Sequence, residues 1–139
     1  MKNIVIIDGQ GGGIGRQLVA RLRERLPEAV ITAVGTNCSA TDAMLKAGAS
    51  AGATGENAVL VACRRAEVIA GPVGIVIADS LGGEITPAMA VAVAQSPAKR
   101  VLLPFNHCEN IIVGVADYNV ARLVQNAVEE IRRVFAAES

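Results

Sequence analysis

NIVIIDGQGGGIG, residues 3–15, joins an apolar run to a glycine-dense one. Residues 3–7 are short, β-branched and apolar on both parities. That is the pattern of a strand buried on both faces of a parallel sheet. Behind the glycines the spacing changes. Ile14, Leu18, Val19, Leu22 and Leu26 recur at helical intervals, with Arg16, Arg21, Arg23, Glu24 and Arg25 between them. Residues 14–26 therefore predict an amphipathic helix with a solvated arginine face, ended at Pro27.

The alternation continues outward from this unit. Residues 29–34 read as a second strand. The Ser39-Ala40-Thr41-Asp42 stretch reads as a helix start, with the helix ending at Gly48. Residues 50–54 suggest a short third strand, and Thr54 is placed to cap a helix over 56–65. Residues 67–71 give a fourth strand, and 73–78 fit either a strand or a short buried helix. Thr86-Pro87 opens a helix running to about residue 95. Residues 100–105 form a fifth strand and 110–115 are a candidate sixth. A helix over 118–136 carries Val120, Leu123, Val124, Ala127, Val128, Ile131 and Phe135 on one stripe. The expected fold is α/β: one Rossmann-like domain over residues 1–139, a doubly wound parallel sheet of five or six strands with helices on both faces.

Bulk composition narrows the function. Thirteen basic residues balance thirteen acidic ones, and there is no Trp, one Tyr and two Phe. Neither a basic field nor a set of stacking platforms for nucleic acid is present. The apolar runs are too short or too interrupted to span a membrane. Three scattered cysteines make neither a disulfide framework nor a zinc pattern, which fits a reducing, cytoplasmic setting. Hydrophobic residues make up 52% of the chain, so a homo-oligomer is expected.

The glycine loop carries the chemistry. A loop leaving a parallel strand for a helix aims free backbone N–H groups at its ligand, and the helix dipole favours an anion by about 0.3–1 kcal/mol, up to about 2 in sheltered geometry. Candidate cofactor contacts are Gly9, Gln10, Gly11, Gly12, Gly13, Ile14, Gly15 and Arg16, with Gly35, Thr36 and Asn37 at the end of the second strand. Asp8 opposes this reading. A carboxylate about 7 Å from a phosphate charge costs about 2.4 kcal/mol at an effective dielectric of 20. It must point aside, bond to loop amides or share a magnesium ion with the phosphate. The Walker pattern is absent, and GxGxxG fails because Ile14 stands at its third position.

The spacing that is met, GxxxGxG as Gly9, Gly13 and Gly15, resembles the cofactor loop of the short-chain dehydrogenase/reductase family. The small, polar Val34-Gly35-Thr36-Asn37 resembles NADP-using members, so this resemblance implies NADP(H). The chain is about half that family's usual length. Val68-Ile69-Ala70-Gly71-Pro72 replaces the family's Asn-Asn-Ala-Gly, and its Tyr-x-x-x-Lys appears only as Tyr118 followed by Arg122. A second resemblance spans the chain. The segments DGQGGGIG (8–15), AGASAGATGENA (47–58), GPVGIVIADS (71–80) and GEITPAMA (83–90) resemble a small bacterial family of unknown function.

Other polar residues are expected at the carboxyl ends of the strands, where such sheets bind ligands. These are Thr54, Glu56 and Asn57, with Asn106, His107 and Cys108 after the fifth strand. His107 and Cys108 are adjacent and would point oppositely, so they read as ligand or surface contacts rather than a dyad. Cys63 reads as core and Cys38 as exposed. No catalytic set or metal site emerges. The leading reading is a nucleotide-binding module, most simply for NADP(H) or another phosphate-bearing small molecule. The alternatives are a minimal NADP-dependent reductase completed across subunits and a non-nucleotide regulatory scaffold.

Overall fold

The computed structural model describes residues 2–105, 108–116 and 119–138. Its elements, in chain order, are β1 (Asn3–Asp8), α1 (Gly13–Arg25), β2 (Val30–Gly35), α2 (Cys38–Lys46), β3 (Ala51–Thr54), α3 (Glu56–Arg65), β4 (Val68–Pro72), a 3₁₀ turn (Val73–Val76), α4 (Pro87–Gln95), β5 (Lys99–Leu103) and α5 (Val120–Ala137). The five strands form one parallel sheet in the order β3-β2-β1-β4-β5. This is the Rossmann-like doubly wound arrangement, with its switch point between β1 and β4.

The parity of β1 builds both layers. Ile4 and Ile6 face α1, α2 and α5, meeting Leu18, Leu22, Met44, Val128, Ile131 and Phe135. Val5 and Ile7 face α3 and α4, meeting Val59, Cys63, Met89 and Val93. The register sets Asp8 opposite Gly35 and Gly35 opposite Thr54, so β1, β2 and β3 end level at one edge.

Helix ends follow local chemistry with two corrections. Thr86 caps α4 as expected, its hydroxyl accepting from the Met89 amide at 3.2 Å. Asn37, rather than Ser39, caps α2, its Oδ1 accepting from the Ala40 amide at 2.9 Å. Gly55 caps α3, because the Thr54 hydroxyl bonds the Thr41 hydroxyl instead. Residues 73–76 take the helical alternative, as a 3₁₀ turn. Residues 110–115 form no strand. Positive φ at Cys108 and Gly114 breaks the extension on either side, and Ile111 and Val113 stand 88% and 92% exposed.

The arginine face of α1 is also not uniformly solvated. Arg23 donates to the carbonyls of Gly48 and Ala29, each at 2.6 Å, and to the Ser50 hydroxyl. It ties the end of α1 to the turns entering β2 and β3. Among the described residues no helix is long and apolar enough to cross a membrane.

Candidate functional site

Asp8 is the last residue of β1 and is 3% exposed. Its Oδ1 accepts from the Gly9 amide at 2.8 Å and its Oδ2 from the Gly15 amide at 2.7 Å. The Ile14 amide also bonds to it. Of the roles open to this residue, the structure assigns bonding to loop amides. Desolvation raises its pKa above the usual carboxylate value, outweighing the three amides that lower it. The carboxylate thus meets part of the hydrogen-bonding demand at the start of α1.

The glycines of the loop separate into two groups. A Cβ at Gly9 would lie 2.5 Å from Thr36 Oγ1 and 2.7 Å from Leu81 Cδ2. One at Gly15 would lie 2.5 Å from Met44 Sδ and 2.9 Å from Asp8 Cβ. Gly12 holds φ +72 beside the Ala40 backbone and caps α1 in the left-handed region. The protein's own packing requires these three. Among the described residues, a Cβ at Gly11 or Gly13 would meet nothing within 4 Å. Both border an open cleft of about 360 Å³, shared with Asp8, Gln10, Ile14, Gln17, Phe105 and Val120.

On the β2 side the crevice is already filled. Glu84, from the loop between the 3₁₀ turn and α4, lays Oε1 against the Gln10 amide at 2.9 Å, the Thr36 hydroxyl at 2.5 Å and Asn37 Nδ2 at 2.8 Å. These bonds, the Thr36 hydroxyl foremost, hold its pKa below the usual value. Leu81, 3% exposed, covers Gly9. Asp79 and Leu81 take φ +67 and +56, and such a conformation is an outlier for leucine.

The expected site residues therefore divide. Gly9, Gln10, Gly11, Gly13 and Ile14 meet at the cleft. Gly35, Thr36 and Asn37 lie at the β2 end, where Thr41 closes on Gly35 through its amide and Glu84 closes on the other two. Arg16 is exposed on α1. Glu56 accepts from the Thr86 hydroxyl at 2.7 Å, and Thr54, at the end of β3, and Asn57, in the first turn of α3, are exposed outside the cleft lining. Cys63 is buried, which pushes its thiol up to about 11. Cys38 and Cys108 are exposed. Asn106, His107 and Tyr118 lie outside the described residues. Among the described residues no group of three or more His, Cys, Asp or Glu is placed to hold a metal ion. Sequence reading missed Glu84 and Leu81. Gly82-Gly83 marks a turn there, but where the loop lands is a tertiary fact.

The model of a family described as "Domain of unknown function (DUF3842)" matches residues 3–136. No curated protein matches the sequence. Among solved structures, a dodecameric FMN-dependent Ubix-like decarboxylase from Escherichia coli O157:H7 aligns with a TM-score of 0.45 at 18% identity, covering 98% of this chain and 94% of that one.

Proposed function

We propose, for a chain that belongs to the DUF3842 family, that the cleft beside the glycine loop binds a nucleotide through its phosphate. The observation that supports this reading is the open space at Gly11 and Gly13. No packing contact among the described residues requires glycine at either place, and both border the cleft at the carboxyl edge of the sheet, where doubly wound folds receive ligands. Asp8 has taken the Gly9, Ile14 and Gly15 amides. The anion is left the amides of Gly11 and Gly13.

NADP(H), the ligand suggested by the sequence, is the first probe: a fluorescence titration of NADPH with NADH and magnesium-ATP as competitors. Gly13→Leu places a side chain in the cleft and should weaken nucleotide binding by at least about tenfold. Its unfolding free energy should stay within about 0.5 kcal/mol of wild type, since the position is open. Unaltered affinity in a folded Gly13→Leu protein would remove the phosphate from this loop.

The module is further proposed to act as a homo-oligomer, with the exposed Ile111 and Val113 in the contact between copies. Light scattering of Ile111→Ser/Val113→Ser should then show a smaller assembly than wild type. Equal masses would place any contact elsewhere.

A further inference from the structure

The crevice at the sheet edge has two halves, and only one is open. We infer that the ligand is a mononucleotide carrying a single phosphate group, and that residues 79–86 keep an extended dinucleotide out. This rests on the nucleotide reading above and narrows it.

The segment is built into the fold at its base. The Ser80 hydroxyl, fully buried, donates to the Gly74 carbonyl. The Asp79 amide donates to the Ile85 carbonyl at 2.7 Å, and Ile85 is 1% exposed. From this base Leu81 and Glu84 reach across to Gly9. Glu84 then latches the loop and the β2 end together through Gln10, Thr36 and Asn37. A dinucleotide on this fold runs from the glycine loop to the end of the second strand, the ground that Leu81 and Glu84 cover.

Charge works in the same direction. Glu84 occupies the β2 side of the crevice, so a second phosphate placed there meets its carboxylate. A 2′-phosphate set at Thr36 and Asn37 would lie against Glu84 itself. What stays open is the cleft toward Phe105 and Val120, about 360 Å³, near the lower end of the roughly 300–1,000 Å³ typical of small-molecule sites.

Calorimetric titration of wild type, Glu84→Ala and Thr36→Ala with AMP, flavin mononucleotide and NADPH tests this. Wild type should bind at least one mononucleotide about tenfold more tightly than NADPH. Glu84→Ala should close that gap by gaining NADPH affinity, with mononucleotide affinity unchanged. Thr36→Ala removes one latch bond and should give a smaller shift in the same direction, which keeps the test open if Glu84→Ala does not fold. Equal wild-type affinity for NADPH and the mononucleotides would overturn the inference and leave the nucleotide reading standing. So would a gap unmoved in both folded variants. If all three proteins bind no nucleotide up to millimolar concentration, the nucleotide reading itself falls.

Discussion

Gly71→Ala should abolish the fold or lower its stability by at least about 3 kcal/mol, out of the roughly 5–15 kcal/mol typical of a domain. Gly71 lies in β4, one residue beyond the last β1–β4 pair, Ile6 with Ala70. A Cβ there would overlap the Ile7 carbonyl oxygen and press on Ile75 Cδ1 at 3.2 Å. The first of these is backbone in the central strand, so no rotamer change relieves it. The two strands must separate, and the sheet's central ladder goes with them. Urea unfolding followed by far-UV circular dichroism measures the loss. With a slope of about 1–3 kcal/mol per molar, the midpoint should fall by at least about 1 M. Gly13→Ala is the internal comparison, because its Cβ has space. A Gly71→Ala midpoint within error of wild type would show that the β1–β4 spacing is not tight.

Asp8→Ala should rank next, with a loss of about 3 kcal/mol, because it strands the Gly9, Ile14 and Gly15 amides and an orphaned buried donor costs about 1–3 kcal/mol. Asp8→Asn should lose less. One side of the carboxamide still presents an oxygen to the loop amides, and the other presents NH₂ as donor against donor. The pH dependence has a definite sign. Burial raises the folded-state pKa of Asp8, so the native chain holds this proton more tightly than the unfolded one. The stabilising contribution is full below the ordinary aspartate value of 3.8 and is lost as pH rises through the folded-state value. The stability gap between wild type and Asp8→Asn should therefore shrink as pH rises through that window. Glu84 acts oppositely: its pKa is lowered from 4.5, so its contribution is present above that value and lost as pH falls through the folded one. A gap that widens on going from pH 4 to 7 would mean that Asp8's amide bonds dominate its burial.

Periodicity made most of the architecture legible. Strand β1 was visible in its double parity, and α5 in a stripe whose Val124, Ala127, Val128, Ile131 and Phe135 are all buried. Thr86-Pro87 marked α4 because capping is local chemistry. Residues 73–76 stayed ambiguous because a buried 3₁₀ turn and a buried strand share the same apolar run. The 110–115 segment misled because its apolar residues suit a strand, while the backbone at Cys108 and Gly114 does not.

The site was legible only in part. Glycine density located the loop, yet the glycines are not equivalent. Gly9, Gly12 and Gly15 serve Thr36, Ala40 and Met44, contacts made by folding elsewhere in the chain. Glu84 bonds to a residue 74 positions away, and no local pattern encodes that separation. The small, polar Val34-Gly35-Thr36-Asn37 stretch resembled an NADP-type site. The fold brings a carboxylate there from a distant loop. Arg23 belonged to a charged helix face in the sequence and proves to be a tether for the same reason.

The pairing of α1 with α5 bears on how the chain matures as it is synthesised. Among the described residues the α3/α4 layer contains nothing later than Leu102, so it can close while the polypeptide is still being extended. The opposite layer needs Val124, Val128, Ile131 and Phe135, and the Arg25–Glu129 pair at 3.0 Å links positions 104 residues apart. Until α5 leaves the ribosome, this layer lacks those four side chains. A nascent chain with one face finished and the other bare is prone to self-association. The long separation also slows the closing step. Chaperone demand during translation should therefore centre on α1.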